Sequence, residues 1–339
     1  MALGLGIETS CDETSISVVE DGNTLRSLKI FSQIEIHSAY RGVVPEVASR
    51  AHLEKINGIY ADVLRESQVS AGDLDYVAVS SHPGLVGSLM MGAQLARCIH
   101  LVHKTPIISV NHLEAHLAVV GLESQLPPFP FLGVLLSGGN SSVYIYKNFG
   151  ELELIADTLD DSLGEAFDKV SSILGLPYPG GPYVEKQANA YAQKKEPSFF
   201  PKLLKEDRAD QIRFSYSGLK TAVLVHLKQN PNPNIPKVCH DFQETAFELV
   251  VRNIHKSVTK TGLRSIVCAG GVLANTTLRR KLEQAADDFG WNLSYPKQKV
   301  LCTDNGAMVA CLGYHLWKSG VRAELDFKIS PKRSFEETL

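Results

Sequence analysis

Residues 110–117 contain two histidines, His112 and His116, four positions apart in an apolar segment that favours a helix. Four positions correspond to a rotation of about 40°, so both imidazoles project from the same helical face, one turn apart. Imidazole nitrogens at this spacing are typical ligands of Zn²⁺ and other transition metals. The pair therefore predicts a metal site, although two rings that merely line or cap a helix remain an alternative.

The acidic residue between the histidines separates this pattern from that of a zinc protease. In the protease helix His-Glu-x-x-His, the glutamate that acts as general base follows the first histidine directly. Here Leu113 occupies that position, and Glu114 follows His112 by two residues. Two residues turn a helix by about 200°, which directs Glu114 away from a metal on the histidine face. The segment therefore lacks the base that proteolysis would need.

Three aspartates are candidates for chemistry: Asp12, Asp168 and Asp304. Asp304 lies in a turn before the last predicted helix, where an aspartate usually serves as N-cap. If it lay near His112 and His116, it would complete a set of two histidines and one carboxylate that suits Fe²⁺ or Zn²⁺. The sequence alone does not decide between these roles.

Three glycine-rich turns could let a ligand approach the backbone closely. They lie at residues 137–140, 179–182 and 270–271, with serine or asparagine beside the first and the last. Neither a P-loop nor a dinucleotide Gly-x-Gly-x-x-Gly fingerprint is present. As a set, the turns favour a nucleotide-binding cradle over three unrelated structural turns.

The elements that must position these residues repeat along the chain. Strands are expected at residues 3–7, 14–19 and 24–30, and the plan of strand, polar turn, strand, strand restarts at residue 132. Helices are expected at residues 45–66, 276–289 and 305–320. The polar turn at residues 8–13 could present amides and carboxylates to a phosphate or metal. Such a duplication predicts two related α/β halves.

The composition limits the class of protein. The chain has 339 residues, 44% hydrophobic and 21% charged, which predicts a globular protein of two domains. The net charge of -3 gives no overall attraction to nucleic acid, so such a substrate would need a local basic patch, for which residues 213–220 are a candidate. Six scattered cysteines without a Cys-x-x-Cys pair, and no signal peptide or membrane span, predict a soluble cytoplasmic protein.

Several segments together resemble the TsaD/Kae-type family, the tRNA threonylcarbamoyladenosine transferases once labelled O-sialoglycoprotein endopeptidases. They run in family order over nearly the whole chain. The matching segments are GIETSCDET (6–14), PGLVG (83–87), NHLEAH (111–116), LSGG (136–139), LGEAFDK (163–169), YPGGP (178–182), FSYSGLKT (214–221), GGVLAN (270–275) and CTDNGA (302–307).

The resemblance implies an actin/Hsp70/sugar-kinase-like fold, of two duplicated α/β subdomains with the site in the cleft. We expect an N-terminal subdomain at residues 1–120, completed by residues 305–339, and a C-terminal subdomain at residues 121–304. The implied reaction transfers an L-threonylcarbamoyl group from threonylcarbamoyl-AMP to the N6 amine of the adenosine 3′ of the anticodon in tRNAs reading ANN codons, with release of AMP.

The resemblance also implies ligands. One divalent metal per subunit, Fe²⁺ or alternatively Zn²⁺, would be held by His112, His116 and Asp304, and Asp12 and Glu13 belong to a candidate phosphate or metal loop. No general base can be assigned. The residues implied to bind the adenylate are Leu135, Leu136, Ser137, Gly138, Gly139, Asp168, Gly181, Glu185 and Asn275.

The implied partners are tRNA, a TsaB-type paralogue and a TsaE-type ATPase, with no membrane. Two alternative functions remain to be weighed against the transferase. One is a metalloprotease, suggested by the histidine pair. The other is an ATP-dependent phosphotransferase or ATPase, since such enzymes share the implied fold.

Overall fold

The residues that the structure describes form two five-stranded sheets, each with helices packed against it. The computed structural model describes residues 1–40, 42–191, 196–204 and 211–333. The strands are β1 (Leu3–Glu8), β2 (Glu13–Glu20), β3 (Thr24–Ser32), β4 (Tyr76–His82), β5 (Ile107–Asn111), β6 (Phe131–Leu136), β7 (Ser141–Asn148), β8 (Glu151–Ala156), β9 (Ser265–Ala269) and β10 (Asn292–Ser294). The helices are α1 (Ile34–Ser38), α2 (Pro45–Ser67), α3 (Val86–His103), α4 (His112–Ala118), α5 (Leu163–Ile173), α6 (Gly180–Ala190), α7 (Ser217–Gln229), α8 (Ile235–Thr261), α9 (Thr276–Phe289) and α10 (Gly306–Lys318).

The chain divides into two compact units. Unit 1 comprises Met1–Leu126, Asn148–Glu151 and Pro296–Leu339, and unit 2 comprises Pro127–Lys147 and Leu152–Tyr295. The expected boundaries, after residues 120 and 304, stay a prediction; the units of the structure divide at nearby but different positions. Residues 334–339 of the expected C-terminal segment lie outside the described residues.

Both sheets have the same strand order. The first runs β3-β2-β1-β4-β5, and the second runs β8-β7-β6-β9-β10. In each, the first two strands pair antiparallel, while the first strand also pairs in parallel with the strand beyond it. This identical order confirms the duplication that the sequence repeat predicts.

The alternation of residues in β1 determines what packs on each face of the first sheet. Leu3, Leu5 and Ile7 face the core that α2 and α3 form, because successive side chains of a strand point to opposite faces. Gly4 and Gly6 occupy the other face, beneath α10. A Cβ on Gly6 would lie 2.0 Å from the carbonyl oxygen of Gly306 and 2.5 Å from the amide nitrogen of Ala310. Glycine in β1 therefore lets the start of α10 lie directly on the sheet.

Strand β5 leads without a loop into α4, which carries the histidine pair. The side chain of Asn111 caps this helix by accepting hydrogen bonds from the amides of Leu113 and Glu114. The predicted helix over the histidines is confirmed. Since β1, β4 and β5 are parallel, their carboxyl ends lie at one edge of the sheet, where α4 begins. That edge is the usual ligand-binding side of such a sheet.

Two helices that the hydrophobic periodicity of the sequence predicts begin and end within a few residues of their expected bounds. The helix expected at 45–66 is α2, and the helix expected at 276–289 is α9. In the described part of the chain, no helix combines the length and the apolar character needed to cross a membrane.

Gly6→Ala should lower the free energy of unfolding by at least about 1–3 kcal/mol, because the added methyl meets backbone atoms of α10 that have no flexible end to move. The matched control is Gly58→Ala, on an exposed position of α2 with no atom near the new Cβ. It should stabilise by about 0.5–1 kcal/mol through helix propensity. Urea unfolding of both variants measures the difference. Equal stabilities would contradict the close packing of α10 on β1.

Candidate functional site

His112, His116 and Asp304 lie together in unit 1. One ligand atom from each of the three lies within 4.8 Å of the others. Nε2 of His116 is 3.0 Å from Oδ1 of Asp304, and Nε2 of His112 is 3.7 Å from the same oxygen. The imidazole rings meet edge to face, with centroids 4.8 Å apart. Both rings are buried, whereas 22% of the Asp304 side chain is exposed.

The neighbouring residue explains why the Asp304 carboxylate faces the histidines. Asn305 is the N-cap of α10, and its side chain accepts the hydrogen bond of the Met308 amide. Asn305, and not Asp304, therefore has the capping role that an aspartate at this turn would usually have. The amide of Gly306 also donates to the hydroxyl of Ser15 at 2.9 Å, which ties the turn to β2.

Glu8, at the end of β1, completes the surroundings of His112. Its Oε2 lies 3.0 Å from Nδ1 of His112, and the side chain is fully buried. Sequence reasoning did not single out this residue. The available signal was a carboxylate at the end of an otherwise apolar strand, because acidic residues are almost never fully buried unless they are paired.

The two carboxylates shift the acid–base properties of the histidine between them. Burial acts to lower the pKa of His112, but the negative charges of Glu8 and Asp304 outweigh it and raise that pKa to about 9. Conversely, burial acts to raise the pKa of Asp304, while the charge of His112 and the hydrogen bond of His116 bring it to about 2. The pKa of Glu8 also lies below its usual value, because the charge and hydrogen bond of His112 outweigh the effect of burial. The site therefore places a positively charged imidazole between two ionised carboxylates.

The turn between β1 and β2 carries two further candidates, Asp12 and Glu13. Burial, followed by the charges of Asp12 and Asp304, raises the pKa of Glu13 well above its usual value. A residue of α2 contacts the backbone of this turn: Nε2 of His52 lies 2.9 Å from the carbonyl oxygen of Cys11. The turn thus lies within the electrostatic field of Asp304.

Glu114 takes no part in this group of ligands. Its Oε1 accepts a hydrogen bond from the amide of Gly150 at 2.7 Å, and the residue is buried. As the helical geometry predicted, it cannot activate a water at the histidines while it holds this position. The proteolytic alternative therefore has no base on α4.

The glycine-turn residues lie in unit 2, around the carboxyl ends of β6 and β9. Leu135 and Leu136 are buried at the end of β6, and the turn Ser137, Gly138, Gly139 follows. Gly138 and Gly139 are exposed, and a Cβ on either would meet no atom within 4 Å. The turn itself is stable, since the hydroxyl of Ser137 accepts the amide hydrogen bond of Asn140 at 3.2 Å.

Three other residues expected to bind the adenylate contact the protein backbone. Asp168 accepts a hydrogen bond from the amide of Gly180 at 2.6 Å, next to Gly181 at the start of α6. Glu185 accepts from the amide of Thr276 at 2.7 Å, at the start of α9. Asn275 is the N-cap of α9. These side chains hold the helix starts in place, so their contact with a ligand stays a prediction.

The aromatic and basic segment at residues 213–220 is not an open patch. Phe214 and Tyr216 are fully buried, and the ammonium group of Lys220 pairs with Asp161 at 2.9 Å. Asp160 accepts the amide hydrogen bond of Tyr216 at 2.8 Å, which further fixes the segment. The rings of Phe214 and Tyr216 pack in unit 2 and are not exposed to a ligand, so the candidate basic patch at residues 213–220 stays a prediction without them.

Comparison with known proteins gives one consistent family. A model of the family "TsaD: tRNA N6-adenosine threonylcarbamoyltransferase" matches residues 24–311. The chain is 54% identical over 332 residues to the tRNA N6-adenosine threonylcarbamoyltransferase of Leptospira interrogans, with 98% of each chain covered. It is 40% identical over 332 residues to the protein of that name from Dictyoglomus turgidum, with 96% of this chain and 97% of the relative covered.

Solved structures with low sequence identity share the fold. HypF of T. kodakarensis aligns with a TM-score of 0.61 and 14% identity, covering 94% of this chain and 48% of that one. Component A of the (R)-2-hydroxyglutaryl-CoA dehydratase of Acidaminococcus fermentans aligns with a TM-score of 0.55 and 13% identity, covering 95% and 100%. The actin/Hsp70/sugar-kinase-like fold class is thereby confirmed.

In the metal-free protein, the free energy of unfolding should fall as the pH rises from about 6.5 to about 9. The folded state keeps a proton on His112 that the unfolded chain releases, so this stabilisation is complete below pH 6.5 and lost through pH 9. It amounts to about 3 kcal/mol at most. Burial lowers the pKa of His52, His82 and His315. The titration of these three histidines therefore changes the free energy of unfolding only below about pH 6.5.

Urea unfolding with a chelator present, at a series of pH values, measures this slope. The variant His112→Asn, treated in the same way, should show a flatter profile between pH 6.5 and 9. The same slope in both proteins would mean that His112 is not the group that titrates.

Proposed function

The chain belongs to the TsaD family of tRNA N6-adenosine threonylcarbamoyltransferases, and we propose that it transfers an L-threonylcarbamoyl group from threonylcarbamoyl-AMP to the N6 amine of the adenosine 3′ of the anticodon. The observation that carries the proposal, beside family membership, is the cluster of His112, His116 and Asp304. A zinc protease of the His-Glu-x-x-His type would lack its base on α4, and the relatives named above are transferases rather than kinases or ATPases.

A divalent metal ion fits the residues of this cluster. Two imidazole nitrogens and one carboxylate oxygen, with other positions left open, form the donor set of non-haem Fe²⁺ sites and also suit Zn²⁺. A cation would also offset the unfavourable effect of the Asp304 charge on the carboxyl groups of Glu8 and Glu13. We propose Fe²⁺, one ion per subunit, with Zn²⁺ as the alternative. Such an ion supplies Lewis-acid polarisation of carbamoyl or phosphate oxygens.

Unit 2 is proposed to hold the adenylate. The turn of Ser137, Gly138 and Gly139 has free space above its glycines, α9 follows β9 of the same sheet, and Glu185 of α6 accepts a hydrogen bond from the Thr276 amide at the start of α9. Backbone amides at such helix starts and glycine turns bind phosphate groups. In this proposal, Asp168, Glu185 and Asn275 keep the binding surface in shape through the hydrogen bonds that they make with backbone and neighbouring side chains.

The residues of the chain have separate tasks in the proposed transfer. The amides of the glycine turn orient the anionic end of the substrate and stabilise charge that develops on it as AMP leaves. The triad in unit 1 holds the metal, and Asp12 and Glu13 remain candidates for a phosphate or metal loop. The adenosine amine is a neutral nucleophile, and we assign no general base to remove its proton.

We propose that tRNA binding depends on partner proteins. The net charge of -3 provides little general attraction to a polyanion, and the aromatic rings of residues 213–220 are buried. A TsaB-type paralogue and a TsaE-type ATPase are the proposed partners. Consistent with this proposal, the purified chain alone should bind tRNA weakly and with a small salt dependence.

Replacing any one of His112, His116 or Asp304 by alanine should remove the bound metal and abolish transfer. Metal affinity should fall by more than the ~10–100-fold expected when a residue that hydrogen-bonds to a ligand is removed, because here a ligand itself is lost. Metal content by inductively coupled plasma mass spectrometry and threonylcarbamoyl transfer in the reconstituted system are the measurements. The control is His103→Ala, an exposed histidine at the end of α3. Full activity of the Asp304 variant would refute the proposed ligand set.

The variant Gly139→Val should weaken AMP binding at least about tenfold, or ~1.4 kcal/mol, because its side chain would fill space proposed for the phosphate. The fold should tolerate it, since no atom lies near the new Cβ and the residue does not have a positive φ. Gly218→Val, at the exposed start of α7, is the matched control. Calorimetric titration with AMP measures the affinities. Unchanged AMP affinity in Gly139→Val would place the adenylate elsewhere.

A further inference from the structure

The carboxylate of Glu8 is fully buried at the end of a strand whose other residues are apolar or glycine. A buried carboxylate costs several kcal/mol unless hydrogen bonds and an opposite charge compensate it. Its position is determined by the strand and not by a flexible loop. In the alternation of β1, Glu8 follows Gly4 and Gly6 on the face covered by α10 and α4.

Donors from three segments surround this carboxylate. Oε1 accepts the hydrogen bond of the Ser10 amide at 2.6 Å, from the following turn. Oε2 accepts from the hydroxyl of Ser80 at the end of β4, and from Nδ1 of His112 at 3.0 Å, at the start of α4. Strand β4 is the parallel neighbour of β1, so the register of the sheet fixes the distance from Ser80 to Glu8.

The contact with His112 determines which ring nitrogen is free. An ionised carboxylate only accepts hydrogen bonds, so the Nδ1 that faces Glu8 must carry a proton. In the neutral imidazole, Nε2 then has a lone pair, and this nitrogen is the one that lies 3.7 Å from Asp304. For His116, by contrast, Nδ1 is buried and has no hydrogen-bond partner among the described residues. Of the two histidines, His112 is thus the one whose ring is oriented by a hydrogen bond to a residue outside the proposed ligand set, namely Glu8.

We propose that Glu8 is a positioning residue, which fixes the tautomer and the ring orientation of His112 so that Nε2 is presented to the metal ion. This inference rests on the proposed metal site of His112, His116 and Asp304. A carboxylate that accepts the second N–H of a metal-bound histidine raises its basicity and fixes its direction, and loss of such a partner lowers metal affinity by ~10–100-fold. Glu8 itself does not contact the ion.

The test compares Glu8→Gln with Glu114→Gln. Both replace a buried glutamate of unit 1 that accepts a backbone hydrogen bond, from the Ser10 amide for Glu8 and from the Gly150 amide for Glu114. Each metal-free protein is titrated with Co²⁺ alone, and the visible absorption of the bound ion gives affinity and coordination together. We expect Glu8→Gln to bind Co²⁺ ~10–100-fold more weakly, with an altered spectrum. Glu114→Gln should have the affinity and spectrum of the wild type.

The outcomes separate this inference from the proposed function. If the wild type binds Co²⁺ and Glu8→Gln matches it in affinity and spectrum, the positioning role is wrong and the metal site stands. If the wild type binds no Co²⁺, the proposed ligand set fails, and the role of Glu8 fails with it.

A second measurement covers the case in which Glu8→Gln does not fold. In zinc-loaded wild-type protein, the ¹⁵N shifts of the His112 ring identify the protonated nitrogen. We expect a protonated Nδ1 and a metal-bound Nε2. A metal-bound Nδ1 in His112 would overturn the inference without any variant.

Discussion

The arrangement on which the site depends is a buried imidazole between two carboxylates. His112 lies 3.0 Å from Glu8 on one side and 3.7 Å from Asp304 on the other; His112 and Glu8 are buried, and 22% of the Asp304 side chain is exposed. A buried carboxylate such as Glu8, with a second carboxylate nearby, is stabilised by a positive charge between or beside the two. In the metal-free chain that charge is a proton on His112, whose pKa is raised to about 9. In the proposed enzyme, a divalent cation held by His112, His116 and Asp304 would supply much of this positive charge.

Much of the surrounding fold brings these three groups together. The parallel pairing of β1 with β4 and of β4 with β5 brings Glu8 and the start of α4 to one edge of the sheet. The glycines of β1 allow α10 to lie directly on the sheet, and the turn before α10 carries Asp304. A side chain at Gly6 would therefore disturb the proposed metal site as well as the core.

The sequence predicted those parts of the structure that depend on short-range periodicity. The leucine and glycine alternation of β1, the spacing of His112 and His116, and the repeated strand plan all follow from neighbours within a few residues. They correspond to β1, to α4 and to two sheets of identical strand order. The direction of Glu114 also followed from helical rotation alone, and this geometry removed the resemblance to a protease.

Contacts between distant parts of the chain could not be predicted in the same way. Asp304 is 188 positions from His116, and only the folded sheet and α10 bring them to 3.0 Å. An aspartate in that turn usually caps the helix, and no local rule indicates that Asn305 takes the cap instead. Glu8 was overlooked because a strand pattern gives the face of a side chain but not its partner. The rings of Phe214 and Tyr216 have the composition of a nucleic-acid surface, yet tertiary packing buries them.

Anomalous X-ray diffraction can show whether the buried cluster of His112, His116 and Asp304 binds a metal ion. Crystals of the protein purified with its native metal, measured on either side of the iron and zinc absorption edges, would locate and identify the ion. We expect one anomalous peak in each chain, within bonding distance of Nε2 of His112, Nε2 of His116 and a carboxylate oxygen of Asp304. A well-ordered map without a peak at these residues, or with a peak bound at other residues, would contradict it.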